Sequence, residues 1–209
     1  MATDISPPEQ RVILHNISWE TYQRLLTEHG ESVGTRFTYD RGALEIMIVS
    51  LRHERLNRLI ADLFTIIADE SKLDFVTAGS TTFRRQDLER GFEPDSCFYI
   101  EHADRIRDQD EIDLSRDPPP DFIIEVDVTS PSVPRFPIFA AVGVPEVWRC
   151  DGAQVVILKL TTGSYVEATE SVALPRVTSD VLTRFMQASE QQKRTVWLRD
   201  VRAWAREQS

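Results

Sequence analysis

The sequence predicts one domain of the α+β or mixed α/β class. Amphipathic helices precede and follow a middle section rich in short strands, and no regular strand–helix–strand repeat links those strands. The chain has 209 residues, a length that suits one domain with a substantial hydrophobic core. The domain is expected to span 1–209, with a loose N-terminal segment at 1–15 and two C-terminal helices within 178–209.

The first half of the chain has a helix, a hairpin and a second, longer helix. A helix is predicted from Ser18, whose side chain can cap its first turn, to the glycine at position 30. Residues 36–49 read as two strands joined by a tight turn. In residues 52–71 apolar side chains recur at helical spacing, which predicts a long amphipathic helix.

The second half begins with short strands and ends with helices. The charged, proline-rich segment 107–120 is expected to be a surface loop, and 136–142 a short helix stopped by Gly143. Strands with tight turns are predicted between 146 and 168, followed by helices at 179–189 and 195–207. The short strands before them are expected at 74–78, 81–85, 96–100 and 121–128.

The composition is that of a soluble protein, with 41% hydrophobic and 28% charged residues. No apolar run approaches the roughly 20 residues that cross a membrane, and no signal peptide opens the chain, so a cytoplasmic protein without a membrane partner is expected. The two cysteines indicate neither a disulfide framework nor a zinc site. The net charge of −10 argues against a broad basic surface for nucleic acid, but allows acids neutralised by a bound metal.

Two acidic residues stand on strands that are otherwise apolar. Side chains alternate between the faces of a strand, so pairing of the two strands would bring Asp95 and Glu125 together at one end of a sheet. Neighbouring carboxylates repel each other unless a positive group lies between them. Mg²⁺ is suited to that position, and such a site can activate water for phosphoryl displacement. The alternative is that both acids are solvated at strand ends.

Four ordered blocks of the sequence resemble the Uma-two-type endonucleases, a branch of the PD-(D/E)XK superfamily. The resemblance extends from residue 17 to the C-terminus, and the order of the blocks makes it specific. It implies a restriction-endonuclease-like core with a mixed central β-sheet flanked by helices, a Mg²⁺ or Mn²⁺ cofactor, and DNA cleavage. It also implies a homodimer, which would suit cutting of both strands. The blocks are LEIMIVSLRHERLNRLI, GSTTFRRQDLERGFEPDSCFYI, DEIDLSRDPPPDFIIEVDVTSPS and PIFAAVGVPEVWRCDG.

The resemblance assigns Asp95 and Glu125 to the two acids of the family motif, which bind the metal. The superfamily places a lysine two residues after the second acid, where this chain has Asp127. In this family the lysine usually lies at the next helix, where this chain has Arg135. Arginine keeps the positive charge but cannot accept a proton. It is therefore tolerable if it only stabilises charge, and crippling if the lysine must act as a base.

Three further residues are candidates for the same site. Glu45 and His53 stand where the family often has an acid and a histidine. Glu45 could be a third carboxylate or an exposed strand residue, and His53 could orient water or contact phosphate, or be structural. Asp127 could bind metal in place of the missing lysine, or make a hydrogen bond at the end of its strand. A basic patch that could contact nucleic acid is expected at Arg84, Arg85 and Arg90.

The favoured function is a divalent-metal-dependent endonuclease acting on DNA, with Asp95, Glu125, Arg135, Glu45 and His53 as its catalytic residues. Two alternatives remain open at this stage. A catalytically weak or inactive relative would bind nucleic acid or a protein partner, and the arginine at the lysine position favours it. A protein whose strands and helices serve mainly to build an oligomer would leave the acidic pair unexplained.

Overall fold

In the computed structural model, which describes residues 10–30, 34–128 and 133–208, the strands form two β-sheets with helices packed against them. This confirms the mixed α+β class. The strands divide between two sheets because the N-terminal hairpin pairs with the segment around residue 90 and not with the strands that carry the acidic pair.

The first sheet is antiparallel and has five strands: β1 (Gln10–Leu14), β2 (Thr35–Asp40), β3 (Ala43–Ile48), β5 (Phe83–Arg85) and β6 (Arg90–Phe92). Their order in the sheet is β1-β3-β2-β6-β5. The β2–β3 turn is made by Arg41 and Gly42, both with positive φ (46° and 92°), as a type I′ hairpin turn requires.

Strand β1 corrects part of one sequence-based expectation, that residues 1–15 form a loose segment, whose residues 1–9 lie outside the described ranges. Residues 10–14 pair antiparallel with β3 along their whole length, Gln10 opposite Ile48 and Leu14 opposite Leu44. The strand lies at the edge of its sheet, and its residues alternate between exposed and half-buried positions. Such a strand has a weak hydrophobic pattern, because neither face is fully buried.

The second sheet has six strands: β4 (Val76–Gly79), β7 (Ser96–Tyr99), β8 (Phe122–Val126), β9 (Glu146–Cys150), β10 (Val155–Thr161) and β11 (Ser164–Glu167). Their order in the sheet is β11-β10-β9-β8-β7-β4, and only β8 and β9 run parallel. Every residue of β8 is buried, which explains its nearly continuous apolar sequence.

Helices cover the second sheet on one face, and the first sheet covers part of the other. The helices are α1 (Trp19–His29), α2 (Leu51–Glu70), α3 (Ala103–Ile106), α4 (Phe136–Val142), α5 (Ser179–Gln191) and α6 (Arg194–Gln208), with a 3₁₀ turn at Gln86–Leu88. The side chains of α2, α5 and α6 pack with Phe122 and Trp148 in the largest core cluster. On the opposite face Phe83 and Phe92 of the first sheet pack with α4 and Ile123.

The register of β7 and β8 positions the acidic residues. Ser96 lies opposite Ile124 in this antiparallel pair, so Asp95, directly before β7, lies beside the end of β8 that carries Glu125. The first turns of α2 and the start of α4 reach the same end of the sheet, where Asn57 contacts Asp95 and Arg135 contacts Glu125. Within the described ranges, every helix is too short or too polar to span a membrane.

Candidate active site

Asp95 is buried, and each of its carboxylate oxygens has a different neighbour. Oδ2 accepts a hydrogen bond from the Val126 backbone N–H at 2.8 Å. Oδ1 lies 2.8 Å from Nε2 of His53, in a contact whose two side chains are each only 1% exposed. The carboxylate is therefore fixed both to the end of β8 and to the first turn of α2.

The first turn of α2 is attached to the segment around Asp95 by more than His53. Ser50 caps the helix by accepting a hydrogen bond from the His53 backbone N–H at 3.2 Å. One turn later, Asn57 Nδ2 donates to the Asp95 carbonyl oxygen at 3.0 Å, and Ser96 Oγ donates to Asn57 Oδ1 at 2.8 Å. Sequence reasoning missed Asn57 and Ser96, although the four-residue spacing from His53 places Asn57 on the same helix face.

Arg135 connects two buried glutamates that belong to different sheets. Its Nη1 donates to Glu125 Oε2 at 2.8 Å, and its Nη2 donates to Glu45 Oε1 at 3.4 Å. The second oxygen of Glu45 accepts a hydrogen bond from the Val133 backbone N–H at 3.2 Å. Glu45 is fully buried, not an exposed strand residue, and Arg135 lies directly before α4, whose first turn contains Pro137.

A second arginine reaches this cluster from β1. Nη1 of Arg11 lies 3.9 Å from Glu45 Oε1. In the β1–β3 pair Arg11 lies opposite Met47, two residues from Glu45. Sequence reasoning missed Arg11 because its segment was expected to be loose. The run of apolar, mostly β-branched residues that follows it was the one local signal for a strand.

Asp127 makes contacts of its own just beyond the end of β8. Its backbone N–H donates to the Cys150 carbonyl at 2.7 Å, and its Oδ2 accepts from Arg149 Nη2 at 3.3 Å. Burial raises the pKa of Asp127, while the guanidinium of Arg149 opposes that shift. The strand-end hydrogen bond considered for Asp127 is present, and its role as a metal ligand stays a prediction.

Burial also governs the charge state of Glu125 and Arg135. Burial, with a further contribution from the nearby Asp95, raises the pKa of Glu125 from its usual 4.5 to about 7, although Arg135 opposes the shift. For Arg135 burial lowers the pKa, but Glu125 and Asp95 more than offset it, so the pKa lies above its usual range. The guanidinium is therefore a permanent cation, whereas Glu125 can exchange a proton near neutral pH.

Five predicted residues thus form one connected cluster, where β7 begins and β8 ends. Its members are Glu45, His53, Asp95, Glu125 and Arg135.

The predicted basic patch is largely occupied by ion pairs with other residues. Arg85 pairs with Asp87, and Arg90 pairs with Asp40 at 2.9 Å.

The donor set of this cluster fits a divalent cation. Glu125 Oε1 is buried and has no hydrogen-bond partner in the described part of the chain, while Asp95 lies beside the same strand end. Carboxylate oxygens are the ligands that Mg²⁺ and Mn²⁺ prefer. A second group, Glu101, His102 and Asp121, has ligand atoms within 4.8 Å of one another. Its Asp121 already accepts hydrogen bonds from backbone N–H groups and contacts the His102 ring.

The fold is of the restriction-endonuclease-like class. Residues 19–187 match the model of the Uma2 family, described as "Putative restriction endonuclease", and the chain belongs to that family. The fold is similar to that of a crystal structure described as "a putative nuclease belonging to DUF820 from Anabaena variabilis ATCC 29413". The two chains are 12% identical, with a TM-score of 0.52 over 81% of this chain and 99% of the other. No curated protein matches the chain in sequence.

Proposed function

We propose that this protein is a divalent-metal-dependent endonuclease that uses Mg²⁺ or Mn²⁺ to hydrolyse phosphodiester bonds in DNA. The observation that carries the proposal is the buried pair of Asp95 and Glu125 at adjacent strand ends, with Arg135 against it. Two like charges in the interior need compensation by a cation; Arg135 supplies part of it, and a metal ion between the two carboxylates would supply the rest. The family supports the reaction class, and the choice of DNA rests on the family alone.

The residues divide the work of such a site in a defined way. Asp95 and Glu125 would hold the metal, which when bound supplies an acidic water and stabilises negative charge on the phosphate. Arg135 would add a fixed positive charge for the charge that develops in the transition state. It cannot take the proton from water, because a guanidinium does not deprotonate at any useful pH.

The other members of the cluster would act through these three. His53 holds one oxygen of Asp95 while the Val126 N–H holds the other, which fixes the carboxylate plane. Glu45 holds Arg135 from the opposite sheet, at 3.4 Å. Both are positioning residues in this proposal, and their removal should weaken the site without removing a ligand to the metal.

A catalytically weak or inactive relative is the second candidate function. The observation that favours it is the direct contact between Arg135 and Glu125 at 2.8 Å, which occupies one oxygen of a proposed metal ligand. Such a protein would bind nucleic acid or a protein partner without cutting. Residual cleavage would be absent with every metal, and also after substitution of Arg135 by lysine.

The homodimer expected from the family belongs to the same proposal, because two sites would allow both DNA strands to be cut. Light scattering at several protein concentrations tests it. A mass of about 24 kDa at all concentrations, that of one chain, would contradict a dimer.

The proposal is tested by incubating supercoiled plasmid with the wild type, Asp95→Asn and Asp104→Asn in Mg²⁺, Mn²⁺ or a chelator. Asp104 is an exposed acid, 99% accessible at its side chain, and its substitution changes the net charge by the same amount. Cutting that needs metal, persists in Asp104→Asn and falls on the order of 10³-fold in Asp95→Asn is the expected result. Equal activity of both variants would contradict it, as would cutting in chelator.

A further inference from the structure

We propose that Arg135 is an internal counter-ion that competes with the metal, so that metal binding requires it to release Glu125. The inference rests on the proposed function, because it concerns how the same acidic cluster is loaded. We call Glu45, Arg135 and Glu125 the arginine latch. Glu45 is its fixed end and Glu125 its releasable end.

The first argument is the amount of buried negative charge. Glu45, Asp95 and Glu125 are 0%, 3% and 4% exposed. Buried carboxylates are tolerated only when they are paired, hydrogen-bonded or protonated. Arg135, itself 6% exposed, contacts two of the three, so it supplies the compensation that a metal ion would otherwise supply.

The second argument is the position of the free oxygen. Arg135 occupies Oε2 of Glu125, and the oxygen left for a metal is Oε1 of the same carboxylate. A divalent ion bound there would share one carboxylate with a guanidinium in a buried site, where like charges repel strongly. A lysine could relieve this repulsion by losing a proton, but an arginine cannot.

The third argument is that Arg135 has somewhere to remain when it leaves Glu125. Its Nη2 already contacts Glu45, which is itself held by the Val133 N–H and lies near Arg11. The guanidinium can therefore keep one buried carboxylate as its partner while the other turns to a metal. The latch has an open state that leaves Arg135 paired with Glu45.

The experiment compares the wild type with Arg135→Gln, Arg135→Lys and a control, Arg206→Gln. Arg206 is an exposed arginine paired with Glu70 at 2.7 Å, at the opposite end of α2 from His53. Calorimetry gives the Kd for Mg²⁺ and Mn²⁺, and thermal melting is recorded with and without each ion. Plasmid cutting is measured on the same samples.

Arg135→Gln should melt below the wild type without metal, bind metal with a Kd at least about tenfold lower, and gain more in Tm when metal is added. Arg206→Gln should bind metal as the wild type does. If Arg135→Gln fails to fold, Arg135→Lys is compared with the wild type in its place. The lysine variant should also bind more tightly than the wild type, because lysine lacks the guanidinium fork that holds Glu45 and Glu125 together.

The outcomes separate the latch from the nuclease activity. The latch is overturned if the wild type binds metal as tightly as both Arg135 variants do. If the wild type also cuts plasmid, the proposed function stands without the latch. Tighter binding by the variants without cutting by any protein supports the latch and removes the nuclease proposal. If none of the proteins binds either ion, the latch is overturned too, because removal of the counter-ion then exposes no metal site.

Discussion

Two buried glutamates on neighbouring parallel strands have opposite environments. Glu146 at the start of β9 is 1% exposed, and Glu125 near the end of β8 is 4% exposed. Glu146 accepts hydrogen bonds from Trp148 Nε1, Ser171 Oγ and the Val172 N–H, each at 2.6 Å. One oxygen of Glu125 accepts a hydrogen bond from the Arg135 guanidinium, and the other has no hydrogen-bond partner in the described part of the chain.

The comparison separates a carboxylate that builds the fold from one that is available for chemistry. Glu93 follows the structural pattern, because its oxygens accept from Thr82 Oγ at 2.6 Å and from the Phe37 N–H at 3.0 Å. Burial alone does not distinguish the two kinds. The difference lies in whether neutral donors saturate the oxygens or leave one free beside a charged group.

The largest expected effect is the loss of cleavage when Glu125 loses its charge. Glu125→Gln should reduce plasmid cutting on the order of 10³-fold, because the amide cannot replace a carboxylate as a metal ligand. Glu146→Gln, measured at equal folded fraction, should stay within a few-fold of the wild type. Initial rates of plasmid nicking check both, and a comparable loss in the two variants would break the distinction.

The reverse contrast is expected for stability. Glu146→Ala leaves three donors without an acceptor, each costing at least about 1 kcal/mol, so the free energy of unfolding should fall by at least about 3 kcal/mol. For a chain of this size that corresponds to a fall in Tm of roughly 10 °C. Urea unfolding followed by circular dichroism measures the change. Glu125→Gln, which removes a buried charge but keeps the side-chain shape, should cost less.

Part of this site could be predicted from the sequence, because local rules suffice for it. The alternation of side chains along two apolar strands was enough to bring Asp95 and Glu125 together, given the antiparallel pairing that the structure contains. The helix start at Ser18 follows from capping, and the structure has this cap.

The rest depends on contacts between residues far apart in sequence. Arg135 meets Glu45 across 90 positions, and no local pattern encodes that distance. Arg11 was missed because an edge strand need not bury either face. The three donors around Glu146 lie on two different segments, so the sequence alone does not reveal that this acid is saturated.

A smaller loss of activity is expected from substitution of His53, which contacts Asp95 and is not itself a proposed metal ligand. His53→Gln should lower metal affinity or cutting by about 10–100-fold, the usual cost of losing a group that orients a metal ligand. Calorimetric titration with Mn²⁺ measures the affinity directly. A variant with unchanged affinity and rate would assign His53 to packing alone.

The smallest expected effect is on the pH dependence of stability. The pKa of Glu125 is about 7 in the folded protein and 4.5 as its ordinary value, so the folded form binds more protons between these limits. The contribution of Glu125 to stability is therefore complete below pH 4.5 and is lost as pH rises through 7. Glu125→Gln has no such proton and should show a shallower decline in urea unfolding over that window. Parallel curves for the two proteins would contradict the raised pKa.

The bridge that Arg135 makes between the two sheets has a consequence for the synthesis of the protein. Glu45 lies early in the chain, whereas Val133 and Arg135, which bind its carboxylate oxygens, are translated much later. A nascent chain that ends between Glu125 and Val133 contains both Asp95 and Glu125 but cannot complete the cluster. Long-range contacts of this kind form only when distant segments have come together. Chains that end before Arg135 therefore lack the finished cluster, and it can close only after translation has passed this residue.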